Sequence, residues 1–183
     1  MKLANPRSLL AGICVAAAAA VAPQAAHAAP TPPEVPTDIA VADGNKPFLV
    51  GHAVGVQNYT CTTVSGGFAW GPATPSADLY DDRGRVIVTH FGGPSWRAKD
   101  GSTVVGRRDR GVTVDPTAIQ WLRLSADSST PGPDGDRLVG TTFIQRIATV
   151  GGLTPAAEQC NEATAGAAVP VPYTADYVFW KAA

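Results

Sequence analysis

The sequence predicts an all-β fold: a single-domain antiparallel sandwich or flattened barrel with one disulfide. Three observations predict it. Short β-branched and aromatic runs recur from Pro47 to the C-terminus. Turn-forming clusters of Gly, Pro, Asp and Ser separate them at close intervals. Two cysteines, Cys61 and Cys160, are left as a single pair once the N-terminal segment is set aside.

That segment is read first because it changes the composition of the rest. "MKLANPR" carries Lys2 and Arg7 with no acid, and an apolar run then extends from Leu9 to Ala22. Its 14 residues are too few to span a bilayer and suit the h-region of a signal peptide. Ala26-His27-Ala28 supplies the small residues of an A-x-A cleavage site, so residues 1–28 are expected to be removed. A cut one residue later would leave Pro30 first. Cys14 lacks the small preceding residue of a lipoprotein signal, because Ile13 stands there.

Removing 28 of 183 residues leaves 155, enough for one domain with its own core. The 14 basic residues become 12 against 15 acidic ones, a net charge of −3. That balance argues against nucleic acid, whose binders concentrate positive charge on one face. No later apolar run is long enough for a transmembrane anchor, and the expected destination is secreted or periplasmic. In an oxidising compartment one remaining pair of cysteines has one connectivity, Cys61–Cys160. Closing so long a loop contributes about 4–5 kcal/mol in the chain-entropy model.

Residues 29–46 are rich in proline and polar side chains and read as a linker or extended arm; the β domain occupies 47–183. Its strand-like runs include "VGVQNYTCTTV", "ADLY", "RVIVTHF", "STVVG", "WLRL", "FIQRIATV" and "VPYTADYVFW". Between them lie "SGG", "DDRGR", "KDGS", "SSTPGPDGDR" and "GGLTP". One helical turn is expected at "TPAAEQC", with Thr154 as N-cap and Pro155 at the first helical position. Period-two alternation puts Gln57, Tyr59 and Cys61 on one side, with Tyr59 expected inward beside the disulfide. Near the end of the chain Tyr173, Ala175, Tyr177 and Phe179 share a face, opposite Thr174, Asp176 and Trp180.

Together, Gln57-x-Tyr59-x-Cys61, "ADLYDDRGRVIVTHFGGPSWRAKDGSTVVG", "WLRL", "IQRIATVGGLTPAAEQC" and "VPYTADYVFW" resemble a bacterial and fungal family labelled domain of unknown function 3455. The resemblance runs in one order across residues 45–181 and implies no assigned activity. A malate dehydrogenase label attaches to some fungal relatives. This chain has no G-x-G-x-x-G turn between strand and helix to accept a dinucleotide, and no cofactor is expected.

The densest chemistry lies in "HFGGPSWRAKDGS", residues 90–102. Gly92, Gly93 and Pro94 suit a sharp reversal after Phe91, and Asp100-Gly101 suits the next turn. His90, Trp96, Arg97 and Asp100 are the side chains left over. His90 and Asp100 are the candidate acid and base of a small exported enzyme, since an imidazole titrates near neutrality. Trp96 beside Arg97 is the candidate grip for a sugar, lipid or polymer, such as an extracellular or envelope polysaccharide. The structural alternative has Trp96 folding back as a cap, with His90 and Asp100 pinning the loop.

Other chemistries lack their residues. No G-x-S-x-G elbow occurs, and His52 and His90 stand 38 apart without a metal-ligand pattern, so no metal is expected. Asp134 and Asp136 form only a fragment of a calcium loop. The three glutamates, Glu34, Glu158 and Glu162, fall in linker or loop sequence, where a glycosidase pair is poorly placed. Arg97, Lys99, Arg107, Arg108 and Arg110 are interrupted by acids and read as the wet face of a hairpin. With nucleophile, metal set and cofactor motif missing, a binding or envelope-associated module is the preferred reading over the enzyme.

Overall fold

Glycine and proline turns cut the chain into nine strands in the structure, a computed structural model that describes residues 29–183. The segment read as a signal peptide lies outside the described residues. The strands are β1 (Asn45–Val64), β2 (Gly67–Trp70), β3 (Thr74–Tyr80), β4 (Val86–Phe91), β5 (Ser95–Ala98), β6 (Thr103–Val112), β7 (Trp121–Thr130), β8 (Thr141–Gly151) and β9 (Ala168–Ala182). Among the described residues no α-helix forms, and no helix is long and apolar enough to cross a membrane.

All pairings are antiparallel and the order is sequential, β3 through β9, with β1 joined to both β3 and β9. Ala53 lies opposite Leu79 of β3 and also opposite Ala175 of β9. Eight strands therefore close into a ring, and β2 folds back on the far end of β1, with Cys61 opposite Trp70. Of the two architectures the sequence allowed, the barrel forms. β9 pairs with β1 from Asn45↔Ala182 to Thr60↔Ala168, leaving no sandwich edge to cover.

Alternation sends one set of side chains inward. Leu49 and Ala53 from β1, Leu79 from β3, Val88 from β4, Trp96 from β5, Leu124 from β7, Ile144 from β8 and Phe179 from β9 build the interior. The indole of Trp96, paired with Val104, reaches over Gly106 of β6; a Cβ there would stand 3.0 Å from the ring. At Gly93, φ is 102°, the left-handed geometry that lets the β4–β5 turn reverse directly after Phe91.

A second apolar cluster lies outside the ring. Ile147, Val178 and Trp180 face outward from β8 and β9, and Ile39 covers them with Val35 and Val41 packed alongside. A 3-10 turn at Thr37–Ile39 delivers Ile39, which is fully buried. Gln145 secures it: its Nε2 donates to Ile39 O at 2.8 Å, and its Oε1 accepts from Trp180 Nε1 at 2.9 Å. Burying one isoleucine side chain this way contributes about 2 kcal/mol.

The two ends of the barrel differ. At one end Asp100 accepts from Ser102 N at 3.0 Å, Ser102 Oγ at 2.6 Å and Arg137 N at 2.8 Å. Ser102 Oγ accepts in turn from Leu138 N at 3.1 Å, and both residues are fully buried. That end is plugged. The other end carries the β4–β5 turn and the Cys61–Cys160 disulfide, whose Cα atoms are 5.3 Å apart. The expected helical turn is shorter than the sequence reading: one 3-10 turn spans Ala157–Gln159, and its N-cap is Ala156 rather than Thr154. A segment this short cannot nucleate an α-helix, and the Ala156 carbonyl accepts from both Gln159 N and Trp70 Nε1, each at 3.1 Å.

Candidate functional site

The unplugged end opens into a cavity of about 290 Å³, a size at the lower margin of small-molecule sites. Strand alternation supplies its wall: Gln57 and Tyr59 from β1, His90 from β4, Trp96 from β5, Arg108 from β6, Leu122 and Leu124 from β7, Arg146 from β8 and Tyr177 from β9. Pro75, Pro94 and Ile119 line it nearer the loops.

The floor is aromatic. His90 and Trp96, paired across β4 and β5, stack with ring centroids 4.4 Å apart and planes 5° from parallel. Tyr177 meets Trp96 edge-on at 5.6 Å, and its hydroxyl lies 3.2 Å from that of Tyr173. Burial pushes both phenols upward, so they remain neutral hydroxyls. Tyr59 donates to Gly152 O at 2.8 Å, tying β1 to the β8–β9 connection.

Burial governs His90 as well. It holds the imidazole down at about 4, against the opposing hydrogen bond to Ser95, and the nearby Arg146 charge lowers it further. The ring is neutral at neutral pH. Nδ1 lies 2.9 Å from the Ser95 carbonyl, which can only accept, so Nδ1 carries the proton and Nε2 is left as an acceptor.

Against that neutral floor stand two guanidinium groups hung from one residue. Arg108 Nη2 donates to Gln120 Oε1 at 2.5 Å, and Arg146 donates through Nε and Nη2 to the Gln120 carbonyl at 3.2 and 2.9 Å. Gln120 Nε2 donates to Thr113 Oγ1 at 3.1 Å, which orients the amide. Arg85, Arg107 and Arg123 pair with aspartates, but among the described residues neither Arg108 nor Arg146 has a carboxylate within salt-bridge distance. Two wall residues also carry buried N–H groups with no acceptor among the described residues, Gln57 Nε2 and Trp96 Nε1. Burying an unsatisfied donor costs roughly 1–3 kcal/mol, so such groups are rare without a purpose.

The residues singled out in the sequence are distributed among three places. His90 and Trp96 come together on the cavity floor. Arg97 follows Trp96 on the strand and therefore faces outward, with its guanidinium 5.3 Å from the Phe91 ring centroid. Asp100 belongs to the plugged end, in the turn that follows β5, where its carboxylate is engaged with Ser102 and Arg137. The structure thus brings neither His90 with Asp100 nor Trp96 with Arg97.

His52 is separate from His90, on the outer face. Its Nδ1 lies 2.7 Å from Asp176 Oδ1 and its Nε2 3.0 Å from Asp82 Oδ1, so both nitrogens donate to carboxylates. Those hydrogen bonds, Asp176 first, raise its pKa above the ordinary value. Among the described residues no three His, Cys, Asp or Glu side chains are grouped to hold a metal ion.

Arg108, Arg146 and Gln120 escaped the sequence reading. By sequence Arg108 belongs with a wet hairpin face, but the register irregularity between Arg108 and Arg110 breaks that face apart. Arg107 pairs with Asp127 at 3.1 Å, while Arg108 lines the cavity. The available signal for Arg146 was its period-two spacing from Ile144, an inward residue.

A family model described as protein of unknown function (DUF3455) matches residues 42–181. No curated protein and no solved structure matches the chain.

Proposed function

The chain belongs to that family of proteins of unknown function, DUF3455, and on this premise we propose that it is an exported binding protein whose barrel end receives one small molecule. The observation that carries the reading is the pair of buried, unpartnered N–H groups on Gln57 and Trp96, both residues of the cavity wall. A ligand acceptor that reaches either one would supply a hydrogen bond the free protein lacks. Eight-stranded barrels have room for one small ligand at an open mouth, and here the opposite end is plugged by the Asp100 network. A small molecule, or the tip of a polymer, suits this shape better than the middle of a polysaccharide chain.

Two features weigh against His90 and Asp100 acting as acid and base. The imidazole, held at about 4, is a weak base at neutral pH, and the carboxylate is engaged at the other end of the barrel. Export is supported by the leader-like residues 1–28 and by the Cys61–Cys160 cross-link.

The test is a thermal-shift screen of the mature protein against a metabolite library, repeated with Gln57→Leu. Compounds should raise the wild-type midpoint and lose about tenfold or more in affinity with Gln57→Leu, the worth of one buried hydrogen bond. Ligands whose affinities are untouched by Gln57→Leu would place binding elsewhere and overturn the reading.

A further inference from the structure

We propose that the ligand of this cavity carries a carboxylate, gripped between Arg108 and Arg146 at the mouth. The inference rests on the small-ligand reading above and adds the chemical class. Its first support is charge. Both guanidiniums hydrogen-bond to one residue, Gln120, so two positive charges are held together at the rim. No carboxylate among the described residues lies within salt-bridge distance of either, whereas Arg85, Arg107 and Arg123 each have an aspartate partner. Like charges gathered without a counter-charge repel each other, and an anion bound between them removes that cost.

The second support is independent of charge. Gln57 on β1 and Trp96 on β5 both line the cavity, and each carries a buried N–H without an acceptor among the described residues. A carboxylate offers about four lone-pair sites on two oxygens, enough for a guanidinium fork and further N–H groups at once. Beyond His90, Tyr59 and Tyr177, the remaining wall includes the apolar Leu122, Leu124, Ile119, Pro75 and Pro94. That division of polar and apolar lining matches a compact organic acid, with its charged group toward the arginines and its hydrocarbon against the leucines and prolines. Inorganic phosphate would leave the apolar side unfilled.

The experiment uses the mature protein and matched pairs of probes: acetate with acetamide, benzoate with benzamide, and phenylacetate with phenylacetamide, measured by calorimetry and tryptophan fluorescence. At least one acid should bind about tenfold or more tightly than its amide, as a charge-assisted hydrogen bond requires. Its affinity should fall as salt is added and drop about tenfold to hundredfold in Arg146→Gln. Arg146→Lys, which keeps the charge without the fork, should restore part of the loss. A circular dichroism melt of each variant checks that it is folded, and Arg108→Gln serves as the second variant should Arg146→Gln unfold.

Amides that bind as tightly as their acids would overturn the carboxylate while leaving the small-ligand reading intact. Binding of inorganic phosphate as tight as the best acid would also overturn it. If none of the six probes binds, the carboxylate assignment fails, and the separate library screen with Gln57→Leu still decides the cavity's role.

Discussion

Acidification sets the burial of His90 against its basicity. In the folded chain the imidazole is held at about 4, whereas its ordinary value is 6.5. Between these values the unfolded chain takes up a proton that the folded chain refuses, so stability falls as the pH falls. The contribution is complete above about pH 6.5 and lost on descent toward pH 4. From about pH 7 to about pH 4.5, linkage gives a loss of about 2.5 kcal/mol from this one residue. His52 acts with the opposite sign: its raised pKa gives a contribution that is full at low pH and is lost as pH rises. Comparing wild type with His90→Gln cancels His52, because it is present in both. Glutamine retains an N–H for the Ser95 carbonyl and does not titrate. Urea unfolding at intervals between about pH 7 and about pH 4.5 should show the wild-type advantage shrinking by about 2.5 kcal/mol. Parallel curves for the two proteins would mean that His90 is not buried in its neutral form, and the polarity assigned to the cavity floor would have to be abandoned.

Trp96→Ala removes a side chain that is 1% exposed and should cost about 3–5 kcal/mol, measured by denaturant midpoint; an unchanged midpoint would show that the indole is not part of the core. Replacing Cys61 and Cys160 with alanine together should lower stability by about 4–5 kcal/mol, since the bridge spans a sequence separation of 99. For His52→Ala, the wild-type advantage should diminish as pH rises above the ordinary value of 6.5, and an advantage constant with pH would contradict the Asp176–His52–Asp82 bridge. Exported protein should begin at Ala29 by N-terminal sequencing, and Met1 at the terminus would refute the leader reading.

The strands were legible where one face is wet. Gln57, Tyr59 and Cys61 alternate with exposed or half-buried neighbours on β1, and all three face as alternation predicts. The same holds for Tyr173, Ala175 and Tyr177 on β9. Alternation loses its meaning where both faces are covered. On β8 and the end of β9, the segment around Ile39 buries the outer side chains Gln145, Ile147, Val178 and Trp180, so Arg146 sits among residues that are apolar or buried on either side. The disulfide was legible because a single pair has one connectivity. Its partner in space, the cavity, was not. Gln57, Arg108 and Arg146 come from strands far apart in sequence and meet only because the ring closes. Two adjacent candidates, Trp96 and Arg97, point to opposite sides of the sheet because neighbours on a strand always do.

Ring closure has a consequence for how the chain acquires its fold. β1 needs β9 along nearly its whole length, so the first strand of the domain waits for the last. Until residues 168–182 are available, β1 and β8 each present a row of unpaired N–H and C=O groups, and the interior has a missing wall. Contacts this distant in sequence carry a large loop-closure entropy before they repay it, which places the domain among slow folders dominated by non-local pairing. A chain without β9 loses two adjacent pairings at once, together with Tyr177 and Phe179 from the core. The ring therefore stays open until β9 is in place, and folding is committed by that strand.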